Sequence, residues 1–428
     1  MSDFDAIIVG SGCAGAIAAY ELAQAGKSVL VVERGNYAGA KNMTGGRLYT
    51  HALKQVFPNF EDEAPLERRI THERISMMTP DSNFTIDFSS DDMLVSGQDS
   101  YSVLRGSLDG WLADKAEAAG ADYIFGIPVE ELVKDGNRVV GIKAGEDEMT
   151  ADVVILCDGA NSLLTKEAVG FERPRGSAMA VGVKQVIELP ASVIEDRLLA
   201  NEGEGAAWLF VGDATKGHVG GGFVYTNKES VSLGIVATIS DLASADTPIY
   251  QMLEDMKAHP AIAPLIKGGK VVEHSGHMVP EGGRDMMPPL VGDGVILAGE
   301  SAMMCVNLGY MVRGMDYAIA AGMHAGRSAV AALDAGDTSA AGLGGYVKAL
   351  EESFVLKDLE QFKRFPHFME STTRIFNEYP AFVRNAMNTL FIVDGTPVAP
   401  LKKSMMPHVK NIGIINLLKD VWKGMKAL

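Results

Sequence analysis

The stretch that most limits what this chain can fold into is its first 35 residues. Ala6 to Val9 is a short apolar run, and it meets Gly10-Ser11-Gly12-Cys13-Ala14-Gly15. Good helix formers follow from Ala16 to Ala25, Gly26 stops them, and Val29 to Val32 form a second apolar run ending at Glu33. The pattern predicts strand, glycine turn, helix and strand. Each part has a physical task. Gly10 permits the tight turn, Gly12 lets the backbone approach a pyrophosphate, and Gly15 lets helix and strand pack closely. The helix start offers free N–H groups and the positive end of its dipole to phosphates. Glu33 can accept hydrogen bonds from an adenosine ribose. The spacing therefore predicts dinucleotide binding.

The next segment, Arg34 to Arg47, is long and glycine-rich, with donors from Lys41, Asn42, Thr44 and Arg47 and with Met43 and Gly45 between them. It leaves the carboxyl end of the second strand, where ligands bind in doubly wound sheets, and is expected to run along an extended cofactor. Residues 51–70 read as helical and then irregular, and 73–95 as strands with a turn at Pro80-Asp81-Ser82-Asn83. Tyr101 to Arg105 is expected to open a helix through Ala119, with Arg105 near enough to its start to meet a phosphate. Strands fill 123–155, a region that includes the candidate contact Val129. The run Val153 to Leu156 then ends in Cys157-Asp158-Gly159-Ala160-Asn161-Ser162. Asp158, Gly159 and Ser162 there suggest a second backbone approach to the cofactor.

From about 171 to 285 longer strands alternate, at Val181–Leu189, Ala207–Val211, Gly221–Thr226 and Val231–Ile239, which predicts a mostly antiparallel sheet. The glycines at 217 and 220–222 do not lie between a strand and a helix, so a second dinucleotide domain for NAD(P) is not expected. Val295 to Ala298 returns to the first domain and is followed by Gly299 and Glu300. Then Asn307-Leu308-Gly309-Tyr310-Met311-Val312-Arg313-Gly314 leads into a helix from Met315 to Leu333. Glu300 can hold a sugar-alcohol hydroxyl, and the amides from Val312 to Met315 can favour negative charge on a ring. Three separated segments of this kind fit FAD better than NAD.

From 341 onward the chain reads as helical. Its last stretch, Lys410 to Leu428, spaces Ile414, Leu418, Val421, Trp422 and Met425 helically and carries four lysines against one aspartate. Two readings stand: a basic amphipathic helix that docks on an anionic membrane or a partner, or a terminal helix folded onto its own domain.

The length, 428 residues, allows two or three domains, and 47% hydrophobic content is enough for a large core. A net charge of −17 argues against a nucleic-acid partner. The N-terminus lacks signal-peptide features, and no apolar run reaches spanning length, so a cytoplasmic protein or one lying on a membrane surface is expected. The three cysteines, Cys13, Cys157 and Cys305, lie far apart; no metal site or disulfide framework is indicated, and they cannot supply the four thiolates of an iron–sulfur cluster. His274 and His277 are expected to have non-ligand roles, and Cys305 reads as a small apolar residue or a redox-active one.

Beyond the N-terminal motif, Gly39 to Tyr49, Ala64-Pro65-Leu66-Glu67-Arg68, Ile70-Thr71-His72-Glu73, Tyr101 to Arg105, Asn307-Leu308-Gly309, Arg313-Gly314-Met315-Asp316 and Gly413 to Asp420 carry a specific resemblance. The chain resembles the FAD-dependent electron-transfer-flavoprotein:quinone oxidoreductases, and their FixC branch most. The resemblance covers essentially the whole chain. It implies an α/β fold: a Rossmann-like FAD-binding domain of the glutathione-reductase/hydroxylase kind, an inserted mostly antiparallel-sheet domain and a helical C-terminal region. The expected boundaries are 1–75, 100–170 and 286–340 for FAD, 76–99 and 171–285 for the quinone or substrate domain, and 341–428 for partner or membrane docking.

The resemblance also implies electrons arriving from a two-subunit electron-transfer flavoprotein and leaving toward a membrane quinone, at the inner face of the cytoplasmic membrane. A separate ferredoxin-like protein of the FixX kind would carry the [4Fe-4S] cluster, within an assembly of the FixABCX kind whose electron bifurcation belongs to the partner flavoprotein. Glu300 departs from the Asp usual in the family, which keeps the carboxylate with one more methylene. No catalytic residue beyond the flavin is expected, since flavin chemistry is the cofactor's own. Two other readings share the fold: a flavin monooxygenase or geranylgeranyl-reductase-like enzyme reduced by NAD(P)H, and a flavin-bearing scaffold that only assembles electron carriers.

Overall fold

The computed structural model describes residues 2–42, 46–172 and 174–428. Strand Phe4–Val9 leads into helix α1 (Cys13–Gln24) and then strand Val29–Glu33. Helix α1 starts earlier than its run of helix formers because Gly12 is already its N-cap. The glycine motif thus supplies the first-turn amides itself. Phe4–Val9 pairs in parallel with Val29–Glu33 on one side and Asp147–Leu156 on the other. Asp122–Phe125 and Val295–Leu297 extend this sheet in parallel at either flank. The strands' carboxyl ends converge, so the turns that follow Val9, Leu156 and Leu297 face one region.

Helix α2 (Arg105–Ala119) packs on α1, and so does α3 (Met315–Ala335). The α1–α3 seam is made of small residues. A Cβ added at Gly322 would collide with the Ala14 carbonyl oxygen, and one at Gly326 would lie 2.9 Å from the Ala18 carbonyl oxygen. The close approach brings the start of α3 beside the start of α1.

Among the described residues a second sheet has nine strands. Lys270–Pro280, Met179–Glu188, Ser230–Thr238, Gly220–Thr226 and Glu204–Gly212 run antiparallel in that spatial order, and Glu204–Gly212 then pairs in parallel with Leu66–Thr79. Ser100–Val103 and Gly46–Tyr49 complete the far edge. Two expectations fail here. Tyr101 to Val103 form a strand, not the opening of a helix: Leu104 stays extended (φ −97°, ψ 117°) and the helix begins at Arg105. Residues 66–70 are strand, not irregular. As a result Gly46–Tyr49, Ser100–Val103 and the first half of Leu66–Thr79 hydrogen-bond into the second sheet, although the sequence assigned them to the cofactor unit.

The C-terminal region is helical. It includes α4 (Phe365–Ser371) and α5 (Ile414–Ala427), the latter set off by Gly413 at φ +86°. Helix α5 is mounted against the usual pattern. Its inward residues include Asp420, which accepts from Arg374 Nε (2.7 Å) and Nη2 (2.8 Å) and from Tyr379 Oη (2.6 Å). The apolar stripe Ile414, Leu418, Val421, Trp422 and Met425 points outward and is 47–67% exposed. The helix is thus folded onto its own chain, but through its polar side, and the amphipathic stripe is left outward. No helix among the described residues is long and apolar enough to cross a membrane.

Gly322→Ala should lower stability by about 1–3 kcal/mol, because backbone blocks the added methyl. Chemical denaturation checks this; an unchanged midpoint would show that the helix seam is not tight.

Candidate functional site

The converging strand ends and the start of α1 enclose a cleft of about 220 Å³. Gly10, at φ +95°, begins it; a Cβ there would lie 2.5 Å from the Cys157 carbonyl oxygen, so only glycine lets the two turns meet. A Cβ on Gly12 would approach Arg105 Nη2 (3.5 Å) and Asn42 Nδ2 (3.8 Å). Two donors therefore stand over the helix start, across a space kept open by the missing side chain. Both are fixed by Asp109, whose side chain is fully buried. It accepts from Arg105 Nε and Nη2 at 2.8 Å each and from the Asn42 amide. Cys13 Sγ lies 3.6 Å from the same carboxylate, and burial pushes its thiol up to about 12, so it stays protonated despite sitting at a helix start.

Glu33 closes the second strand. Its carboxylate accepts from the backbone N–H of Ser11 (2.8 Å) and Gly35 (2.6 Å). Each oxygen keeps a further acceptor position, enough for ribose hydroxyls. Asp158 accepts from Ser301 Oγ (2.9 Å), and burial raises its pKa above the usual carboxylate range. Glu300 lies across the cleft, with His277 Nε2 at 3.4 Å.

Of the residues singled out from sequence, Gly10, Gly12, Cys13, Ala14, Glu33, Arg34, Lys41, Asn42, Arg105, Val129, Asp158, Gly159, Gly299, Glu300 and Gly314 line this cleft. Ser11 is buried behind Glu33, and Gly15 serves packing, since a Cβ there would strike the Gly10 carbonyl oxygen. Ser162 Oγ accepts from the Thr165 N–H (3.1 Å) in the turn after this segment. Met311 packs against the main core, and Gly309 and Val312 line a different cavity. Arg313 turns away from the cleft: it is held by Asp316 and Asp358 (2.6 Å each) and stacks over Tyr317. Two carboxylates and an aromatic face make a better home for its charge than a cleft already lined by Lys41 and Arg105. Met43, Thr44 and Gly45 lie outside the described residues.

Sequence reasoning missed two contributors, Asp109 and His277, and passed over Lys184 on the adjoining sheet. Asp109 was legible in principle as the i+4 partner of Arg105. His277 was set aside as a poor metal ligand, yet it lines the cleft. Lys184, fully buried, shares a sheet face with His277 by register (Gly182 opposite His277, Lys184 opposite Ser275); burial pulls its pKa down to about 7.

A second cavity, of about 500 Å³, adjoins the first. Glu300, Gly314 and Met315 line both. Its walls are the antiparallel sheet (Leu209, Phe223, Tyr225, Val236) and α4 (Phe365, Phe368, Met369). Cys305 lies there too; burial raises its thiol well above the usual range, which favours the plain apolar reading over the redox-active one.

Residues 3–211 match the model of an FAD binding domain, and residues 365–428 match that of the ETF-QO/FixC family C-terminal domain. The cleft suits that cofactor: glycines where phosphates need room, donors above them and acceptors at either end. The chain is an FAD-dependent oxidoreductase. It is 50% identical to the probable electron transfer flavoprotein-quinone oxidoreductase YdiS of Escherichia coli K12, over 100% of both chains. It is 49% identical to protein FixC of Salmonella typhi over 99% of each. Among solved structures, a geranylgeranyl bacteriochlorophyll reductase-like protein from Thermoplasma acidophilum superposes with a TM-score of 0.70 over 98% of this chain and 99% of the other; at 19% identity this shows the shared fold. The chain belongs to the electron transfer flavoprotein-quinone oxidoreductase/FixC family.

Asp109→Ala leaves the partly exposed Arg105 guanidinium without its partner and frees Asn42. It should cost about 1–3 kcal/mol of stability and weaken FAD retention. Flavin release on dilution of the purified protein reads the second effect; FAD held as tightly as in the wild type would mean that the two donors do not touch the cofactor.

Proposed function

We propose that this chain accepts electrons from a two-subunit electron-transfer flavoprotein onto its FAD and passes them to a quinone held in the apolar cavity. The observation that carries the reading is the junction of the two cavities at Glu300, Gly314 and Met315. An apolar ring seated there lies next to the end of the cofactor cleft. The full-length relatives named for quinone oxidoreduction favour a quinone over other apolar substrates. When bound, FAD supplies the ability to take up and release electrons.

The chain's own residues position it. The α1 amides, Asn42 and Arg105 hold the pyrophosphate, with Lys41 alongside. Glu33 takes the adenosine ribose beside Arg34 and Val129. Asp158, Gly159, Gly299 and Glu300 follow the sugar-alcohol chain, and the amides at Gly314 and Met315 favour negative charge on the reduced ring. A separate ferredoxin-like protein of the FixX kind carries the [4Fe-4S] cluster, since three dispersed cysteines cannot, and the assembly is of the bifurcating FixABCX kind. On this reading the unit that binds FAD and the antiparallel sheet that carries the quinone are distinct parts of the molecule, and the helices after 341 dock it.

The docking partner is the inner face of the cytoplasmic membrane. Burying large side chains of the outer α5 stripe yields roughly 1.5–3 kcal/mol each, and a lysine near an anionic surface about 1 kcal/mol. Apolar insertion therefore dominates, and Lys419, Lys423 and Lys426 add selectivity for anionic lipid.

Under anaerobic conditions the flavin absorbance should bleach with reduced electron-transfer flavoprotein from the same organism and stay unchanged with NADH or NADPH. Fast bleaching by a nicotinamide alone would move the assignment to a substrate-modifying flavoenzyme. In flotation with anionic vesicles the wild type should rise with the lipid, while Leu418→Glu/Trp422→Glu should remain below with its flavin intact; equal flotation would remove α5 as the docking element.

A further inference from the structure

We propose that Glu281 is the acid that protonates the quinone in the apolar cavity. The inference rests on the quinone-reducing reading above and assigns a catalytic residue to it.

Glu281 is held in one orientation on the cavity wall by groups from other segments. Glu281 follows the strand Lys270–Pro280 and lines the cavity. Its backbone N–H donates to the Ala178 carbonyl (2.9 Å), which fixes the main chain. Asn307 Nδ2 donates to Oε1 (3.1 Å) and Thr238 Oγ1 approaches Oε2 (3.4 Å). The Asn307 amide is itself oriented, because its Oδ1 accepts from the Gly309 N–H (2.9 Å) and so turns the NH₂ toward Glu281. Asn307 and Val312 pair in the short hairpin that runs directly into Gly314 and α3. The carboxyl thus stands at the end of the cavity where it meets the cofactor cleft.

The groups that face it are Thr238 from the neighbouring strand, Cys305 and Asn307 from the hairpin, and Glu370 from α4. Burial, the largest influence, raises its pKa; the hydrogen bonds from Asn307 and Thr238 oppose the rise, and the nearby Glu370 carboxylate adds to it. An acid with a raised pKa keeps its proton nearer neutral pH, where it is of use as a donor. Glu370 is exposed and also lines the cavity, which gives the proton a route from solvent. The other cavity residues with ionisable groups serve less well: Arg47 is paired with Glu73, and Glu300 is shared with the cofactor cleft.

A quinone becomes a hydroquinone by gaining two electrons and two protons. Bound FAD, in its two-electron-reduced form, would supply the electrons and one proton. The other proton comes from Glu281: its O–H bond breaks as an O–H bond forms on a quinone oxygen. The resulting Glu281 carboxylate is reprotonated from solvent past Glu370.

The test uses the FAD-loaded protein with a short-chain ubiquinone analogue. In the absence of quinone, infrared spectra recorded against pH should show a protonated-carboxyl C=O band in the wild type that Glu281→Gln lacks. Glu281→Gln should bleach with reduced electron-transfer flavoprotein at the wild-type rate, which also shows that it folds and holds FAD. Its quinone reduction near neutral pH should be slower by about a hundredfold, the low end for loss of a general acid. The wild-type rate should fall as pH rises through the Glu281 pKa. Glu281→Asp should keep this fall, and Glu281→Gln should lose it. A Glu281→Gln protein with the wild-type quinone rate and pH profile would overturn the proposal and leave the quinone reading standing. A wild-type protein that is bleached by the flavoprotein but never reoxidised by quinone overturns both.

Discussion

The buried carboxylate of Asp109 ties together three segments that are far apart in sequence. It holds Arg105 at the start of α2, Asn42 in the connection after the second strand, and the thiol of Cys13 at the start of α1. A carboxylate with no exposed surface is costly unless its charge and hydrogen bonds are met, and here a guanidinium fork meets both. The arrangement does more than neutralise charge. It sets two donors over the gap that Gly12 leaves open, so the roof of the cleft is fixed by the chain's own charges. The small-residue seam between α1 and α3 then brings a second helix start into the same region. The cleft depends on both: the ion pair fixes its roof, and the seam fixes its far wall.

Much of this was legible in the sequence, and the reasons are local. The turn at Gly10 to Gly15 announces itself because backbone geometry there tolerates nothing else. The strand Val29–Glu33 and the run Val153 to Leu156 are apolar stretches that a parallel sheet buries on both faces. The failures are non-local. Tyr101 to Val103 looked like the entry to a helix, and only pairing with Gly46–Tyr49 and Leu66–Thr79 makes it a strand. Arg313 follows the Asn307–Val312 segment and looked like part of the ring cradle, but Asp358, 45 residues on, draws it to the other side of the chain. Glu281 gave no signal in sequence, because its character comes from an amide and a hydroxyl on two other segments.

The two cavities divide the chemistry between different kinds of wall. The cofactor cleft is lined by turns and helix starts, where backbone amides point inward. The larger cavity is lined by a sheet face and by α4, where side chains decide the surface. Where they join, the chain places Glu300, Gly314 and Met315, which line both spaces. The polar groups on the larger cavity's wall include Glu281 and, at the junction, Glu300.

The inverted mounting of α5 has a consequence for how the molecule can be used. The helix is held by Asp420 gripping Arg374 and Tyr379, while its apolar stripe takes little part in holding the protein together. The fold is therefore held by one side of this helix alone. Evolution can rewrite the outer stripe residue by residue without eroding the core, so the chemistry of that face is free to change while the shape beneath it persists.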